Sequence, residues 1–360
     1  MKTVIVNSHF SKVLGGSEIQ CHQIAGTLVQ MGIEATYLAV GGIGETEDPL
    51  DYPVAEVPKK AEKLADAILK VNPDIVYWRF NKRLLPQVMA KIKSSGLPVV
   101  FSVSHILDLQ PYHYKTIPGL NPLQRIKRRL SHLYKGWQYA QALKSISGVI
   151  CNNEDHLARI SHDKKIYIPN SPYLKATKFE WPRPYIVWVG NLKAHKHPEL
   201  FIDLARSLND LELDFLMIGD IQQEAYDYVR KGEGLPDNFH YLGVQDIHKT
   251  NGVISQSLLL VHTCEPEGFP NVFLQAWGFG KPVISLYFDP GSKILDNEAG
   301  LLSGTFEQLK ADTRQLVSSE AERSRLGKNA EALIERDFIK ARNVEKLNQF
   351  LTQILDTQRP

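Results

Sequence analysis

Twice along its 360 residues the sequence runs through one alternation: a short β-branched apolar run, then a longer segment whose apolar residues recur at helical spacing. That alternation restricts the fold severely. Strands that point the same way must be joined by a crossover, and a helix laid on the sheet is the usual one. The pattern therefore predicts parallel sheets with helices on both faces. In the first series the expected strands are 3–6, 34–40, 74–80, 99–104, 148–152 and 165–168, with helices near 17–31, 59–71, 82–95 and 120–147. The proline-rich "KFEWPRPY" at 178–185 interrupts the series. It then restarts with strands at 185–189, 214–218, 239–243, 258–262 and 282–286, and helices near 198–208, 222–232, 246–256 and 270–280. The expectation is an α/β chain of two doubly wound Rossmann-like domains, 1–178 and 179–337, facing a central cleft with the ligand at the carboxyl ends of the strands. Residues 306–356 read as helix throughout, and a last helix at about 338–360 is expected to pack back on the first domain.

Bulk numbers exclude several classes. Apolar content of 43% and charged content of 23% are those of a soluble globular chain, and a net charge of +2 gives no general attraction to nucleic acid. The opening "MKTVIVNSHF" is too short an apolar run for a signal peptide, and no stretch approaches the ~18 apolar residues of a membrane span. Cys21, Cys151 and Cys264 are few, odd in number and far apart, which predicts neither a disulfide framework nor a zinc knuckle. A reduced, cytoplasmic setting is the expectation.

Chemistry concentrates in "CEPEGFPNVFLQAWGFGKPVISL" at 264–286. Pro270 suits the first position of a helix, where its missing N–H costs nothing, so the amides of Asn271, Val272 and Phe273 are expected to point outward from the helix start. Such a start attracts phosphate through unpaired amides and the helix dipole. Gly268 permits close approach of ligand and backbone. Gln275 follows Asn271 by four positions and shares its helix face, while Glu267 is placed to accept hydrogen bonds from sugar hydroxyls. A phosphate flanked by two polyhydroxy groups fits these parts, and so does a tightly packed helix with a capping acid.

The run "EPEGFPNVFLQAWGFGKPVI" resembles the E-x7-E signature of retaining GT-B glycosyltransferases of family 4 (glycosyl transferases group 1). The resemblance implies that Glu267 contacts the donor sugar, that the stretch Gly268, Phe269, Pro270, Asn271 and Val272 holds sugar and diphosphate through the amides of its non-proline residues, and that position 275 binds the ribose. Position 275 departs from the pattern, for the family has Glu where this chain has Gln275. In "VWVGNLKAHKHPELF" at 187–201, Gly190 and Lys196 match the family's phosphate-binding turn while Asn191 stands where Arg is usual. Lys196 is then the cation on the leaving phosphate. The resemblance further assigns Gly15 and Gly16, in "SKVLGGSEIQCHQIA", to the donor diphosphate, with Ser17 a plausible N-cap. It puts His105 near the reaction centre, and Gly219, Gly243 and Val244 beside the nucleoside.

The chain contains no Asp-x-Asp pair, and no metal ligand set is expected; His195 and His197 flank Lys196 without a third ligand. No cofactor is implied beyond the donor, a nucleotide-diphospho-sugar, UDP-sugar favoured over GDP-sugar. The implied activity is retaining, metal-independent hexosyl transfer to a glycan or lipid-linked glycan in cell-surface polysaccharide or glycoconjugate biosynthesis. A nucleotide-sugar epimerase on the same fold and a catalytically weakened nucleotide-sugar-binding protein are the rivals. Finally, 121–143 carries apolar residues at 123, 126, 130, 133 and 137, flanked by Arg125, Lys127, Arg128, Arg129 and Lys135. This is either a core-facing helix with a solvated basic side or a peripheral contact with an anionic membrane.

Overall fold

The computed structural model describes residues 1–13, 15–46, 48–103, 108, 121–265 and 268–357. The chain divides into two units, Met1–Pro169 with Lys340–Pro360, and Asn170–Ile339.

In the first unit the described strands are β1 (Lys2–Asn7), β2 (Glu34–Val40), β3 (Val54–Val57), β4 (Ile75–Trp78), β5 (Val99–Val103), β6 (Gly148–Cys151) and β7 (Lys165–Tyr167). They form one parallel sheet in the order β3-β2-β1-β4-β5-β6-β7. Helices α1 (Gly16–Gln30), α2 (Ala61–Val71), α3 (Leu85–Ile92), α4 (Pro122–Ser145) and the short α5 (Glu154–Leu157) connect them. Successive strand residues point to opposite faces, and each face has its own core. Val4, Val6, Leu38 and Val76 pack with Leu64 and Ile68 of α2 and Val88 of α3. Ile5, Tyr37 and Tyr77 face the other way, onto Cys21, Ala25 and Leu28 of α1 and onto Leu347, Phe350 and Leu351 of the final helix, Lys340–Asp356.

The second unit repeats the plan with β8 (Tyr185–Val189), β9 (Asp214–Ile218), β10 (Phe239–Gly243), β11 (Leu260–His262), β12 (Val283–Ser285) and β13 (Gly300–Leu302), ordered β10-β9-β8-β11-β12-β13. Its helices are α6 (Pro198–Ser207), α7 (Asp227–Lys231), α8 (Ile247–Gln256), α9 (Asn271–Gly278), α10 (Phe306–Ser318) and α11 (Glu320–Asp337), after which the final helix, α12, belongs to the first unit. Ile186 and Trp188 bury against Phe201 and Leu204 of α6 and Leu309 of α10. Val187 and Tyr185 bury against Phe273 and Trp277 of α9 and Leu333 of α11.

Three expectations need correction. The boundary falls at Pro169, ahead of the proline-rich stretch, because 170–177 is bound to the second unit: Asn251 Nδ2 donates to Tyr173 O (2.7 Å) and Lys175 O (2.8 Å), and Thr177 N to His248 O (3.1 Å). Strands β3 and β13 are additions to the expected set: Glu56 interrupts the apolar run of one, and Gly300 opens the other with only two apolar residues behind it. The helix expected at 222–232 shrinks to a 3₁₀ turn, Glu224–Tyr226, followed by the five residues of α7, which Gly232 ends in a left-handed conformation (φ +74°).

A basic helix with its apolar side outward

Asn121 caps α4 in a reciprocal box, its Oδ1 accepting from Gln124 N (2.8 Å) while its own N–H donates to Gln124 Oε1 (3.1 Å). Only Tyr139 and Ala142 of the helix are buried. The stripe Leu123, Ile126, Leu130, Leu133 and Trp137, joined by Tyr134, is 57–78% exposed. Of the two readings of this segment, the core-facing one fails. No acidic residue occurs in Pro122–Ser145, so an apolar stripe is bordered by positive charge alone. No described helix is long and apolar enough to cross a membrane.

Candidate donor site

In the second unit the chain runs outward from β8 through β9 to β10, then returns to place β11 on the other side of β8. Ligands of doubly wound sheets bind outside the carboxyl ends of the strands at such a reversal. Two of the predicted segments leave the sheet here, 190–197 after β8 and 263–265 after β11. Buried side chains fasten them together. Thr263, fully buried, sets its Oγ1 2.7 Å from Lys196 O and 3.0 Å from His197 O, and accepts from Trp188 Nε1 at 3.0 Å. Glu265 N donates to His195 O at 2.9 Å. Lys196, half-buried, ends the 3₁₀ turn Ala194–Lys196, and Asn191 lies half-buried three residues ahead of that turn. The left-handed His197 lies between two carboxylates, Nδ1 3.0 Å from Glu199 Oε1 and Nε2 3.3 Å from Glu265 Oε1. Among the described residues no three His, Cys, Asp or Glu side chains cluster as metal ligands.

The start of α9 differs from expectation in one respect. Pro270 is the N-cap (ψ 113°) and Asn271 the first helical residue. Phe273 N donates to Pro270 O at 3.1 Å, which leaves the amides of Asn271 and Val272 without a partner among the described residues. Phe269 turns its ring into the core, with centroids 5.5 Å from Phe338 and 6.3 Å from Trp277, so it anchors the loop and offers a ligand only its main chain. Gly268 and Pro270 are also buried, and Val272 is half-buried. Asn271 Oδ1 accepts from Asn170 Nδ2 at 2.7 Å. Gln275, 8% exposed, donates from Nε2 to Asn251 Oδ1 at 2.7 Å. Glu267 lies outside the described residues.

Of the expected nucleoside contacts, Gly219 has both main-chain groups engaged within the unit: its N–H donates to Gly243 O (3.0 Å) and its carbonyl accepts from Tyr241 Oη (2.7 Å), which leaves that oxygen one further lone pair. Glycine is required there by packing: a side chain would place its Cβ 1.7 Å from Gly190 O. Val244, just past Gly243, is 54% exposed.

The first unit has its own reversal, between β1 and β4. Gly15 is the N-cap of α1 and Gly16 its first residue, so Ser17 is not the cap. Ser17 instead donates to Glu18 Oε2 (2.8 Å) and accepts from Asn7 Nδ2 (3.3 Å), and the Glu18 carboxyl folds back so closely that a Cβ at Gly15 would fall 2.3 Å from it. At the end of β4 the buried Arg79 reaches Tyr77 Oη (Nη1, 3.5 Å), and its charge acts on Glu18 and Cys21. Burial pushes the Glu18 carboxyl above its ordinary range and the Cys21 thiol up to about 12. Nearby His9 is fully buried, and burial lowers its pKa to about 4. Glu18 and Arg79 were missed. A lone charge directly after the apolar "IVYW" was the available signal. His105, just past β5, lies outside the described residues.

With this geometry in hand, comparison with known proteins is informative. Residues 173–333 match the family model described as "Glycosyl transferases group 1". Among solved structures, HepE of Anabaena in complex with UDP-glucose superposes with a TM-score of 0.75 at 17% identity, covering 98% of this chain and 100% of that one. Sucrose-phosphate synthase of Thermosynechococcus elongatus gives 0.74 at 16%, covering 99% and 100%. WaaG, a glycosyltransferase involved in lipopolysaccharide biosynthesis, gives 0.68 at 15%, covering 98% and 100%. At these identities the likeness carries the fold. A search of curated proteins found no match.

Proposed function

We propose, from the premise that this chain is a GT-B glycosyltransferase whose second unit belongs to the glycosyl transferases group 1, that it moves a hexose from a UDP-sugar to a glycan or lipid-linked glycan with retention of configuration and without a resident metal. One observation carries the reading: Thr263 and the 195–265 main-chain bond fasten the Lys196 turn and the approach to α9 at a single strand-order reversal. An ammonium and the free amides of Asn271 and Val272 at one crevice suit a diphosphate. HepE, solved with UDP-glucose, supports UDP as the nucleotide.

The chemistry needs no protein nucleophile. The bond from the anomeric carbon to the phosphate oxygen breaks, the acceptor oxygen bonds to the same face, and the acceptor's proton passes to the departing phosphate. Lys196 meets the charge that develops on that phosphate, and the Asn271 and Val272 amides hold it without reorganising. The acid at Glu267 keeps the role its motif implies, binding donor hydroxyls. To test this, UDP- and GDP-hexoses are incubated with glycan and lipid-linked acceptors, and nucleotide release and product anomer are measured. Release of UDP with retention is expected. Absence of release from every pairing defeats the proposal, and donor conversion without acceptor would make the protein an epimerase.

The outward stripe of α4 completes the reading. Exposed Leu, Ile and Trp bordered only by Arg and Lys suit an anionic lipid surface, where apolar insertion and charge attraction add. The enzyme then works peripherally at the inner face of the plasma membrane, on an acceptor carried by lipid. WaaG's part in lipopolysaccharide biosynthesis agrees with this. Flotation with vesicles containing anionic lipid, lost in Leu130→Glu and absent with zwitterionic vesicles, is the expected outcome. Equal flotation of parent and variant would remove the membrane.

A further inference from the structure

Asn251 is fully buried in α8, beside the core residues Val253 and Ile254. A buried amide must find partners for both of its ends. Its Nδ2 hydrogens go to Tyr173 O (2.7 Å) and Lys175 O (2.8 Å). Because main-chain carbonyls only accept, these two bonds decide which end of Asn251 is nitrogen, and its oxygen must face the other way. What it faces is Gln275 Nε2, at 2.7 Å. Oδ1 also only accepts, so the second amide is oriented in turn, and Gln275 Oε1 is left turned away from Asn251. The direction of two amides is thus set by two backbone carbonyls.

We propose that Asn251 is a positioning residue for the nucleotide site: it locks the Gln275 amide so that position 275 presents a fixed, neutral acceptor to a ribose hydroxyl. The inference rests on the reading of Gln275 as a nucleoside contact. It also accounts for the departure from the family motif at this position. A carboxylate at 275 would set oxygen against Asn251 Oδ1, and turning Asn251 over to relieve that contact would set its oxygen against Tyr173 O and Lys175 O. Restoring the acid alone is therefore harmful.

The test measures UDP binding by calorimetry and thermal unfolding for Gln275→Glu, Gln275→Met, Asn251→Ala and the double variant Asn251→Ala/Gln275→Met. Each single variant is expected to weaken UDP about fivefold, the worth of one neutral hydrogen bond. Asn251→Ala is expected to change nothing further in the Gln275→Met background, since it acts through Gln275. Tighter UDP binding by Gln275→Glu, or losses that multiply in the double variant, as a merely structural Asn251 would produce, overturns the proposal. If Asn251→Ala does not fold, the two Gln275 variants decide: Gln275→Glu must melt below Gln275→Met, and equal melting overturns the lock. If the parent binds none of UDP, GDP, ADP or dTDP, the donor reading and the ligand half of this proposal both fall, while the melting comparison still decides the amide chain.

Discussion

The two units share one plan, a parallel sheet whose strand order reverses once, yet they equip that reversal in opposite ways. In the second unit Thr263, Asn251 and Gln275 are buried, neutral and bonded to loops or to each other, although the ionisable His262 and Cys264 are buried on either side of Thr263. They hold backbone in place. In the first unit the groups between β1 and β4 are ionisable, Glu18, Cys21 and Arg79, and burial moves the first two off their ordinary pKa values. Hydrogen bonds among such neutral groups neither take up nor release a proton. Ionisable packing leaves stability dependent on protonation. The difference teaches that one sheet plan can carry either kind of packing: at the start of α1 the Glu18 carboxyl folds against Gly15, while Thr263 holds main chain at Lys196.

The largest effect that would sharpen this contrast is on turnover. Lys196→Ala is expected to lower kcat by ~10²–10³-fold, the scale seen when a preplaced donor to a developing charge is removed, with the melting temperature unchanged. Activity equal to the parent's would take the cation out of the mechanism. Next is Thr263→Val, which keeps the shape but removes a hydroxyl serving Lys196 O, His197 O and Trp188 Nε1. A loss of ~1–3 kcal/mol in stability is expected by denaturant unfolding, because buried partners are left unsatisfied, together with reduced kcat as the turn loosens. Unchanged stability would break the claim that the second unit's side chains are fasteners.

The smallest effect concerns pH in the first unit. His9 is neutral when folded, with a pKa lowered from 6.5 to about 4, so between those values the unfolded chain binds more protons than the folded one. Stability is flat above pH 6.5 and falls as pH drops through that window, with a slope of at most ~1.4 kcal/mol per pH unit from this residue. His9→Phe should flatten that part of the profile, measured by denaturant unfolding at a series of pH values. A profile unaltered by the substitution would show that His9 is not its source.

Much of the architecture was legible because its cause is local. The runs at 34–40, 185–189, 214–218 and 239–243 are strands to the residue, since a short run of apolar and aromatic residues between turn residues marks a buried parallel strand whatever surrounds it. The strands β3, "VAEV", and β13, "GLL", lack an unbroken apolar run, one holding Glu56 and the other opening on Gly300. At the candidate site, the motif residues were found by type and order, while their fastening was not. Nothing in "IHKTNGVISQ" announces that Asn251 braces the segment before the proline-rich stretch, because its partners lie more than seventy residues upstream. The helix α4 shows the same limit from the other side. Its apolar spacing was plain, but spacing fits a core and a lipid surface equally, and only the exposure of Leu123 to Trp137 distinguishes them.

Sequence by itself determined that this chain makes two helix-covered parallel sheets and starts α9 beside Pro270, because periodicity, proline and glycine act within a few residues of where they stand. Tertiary structure alone decided which way the polar groups face. Gln275 is an oriented amide and not a free one, since hydrogen-bond direction is settled by partners that only the folded sheet brings within reach, and Gly219 is held to glycine by the close approach of Gly190 O.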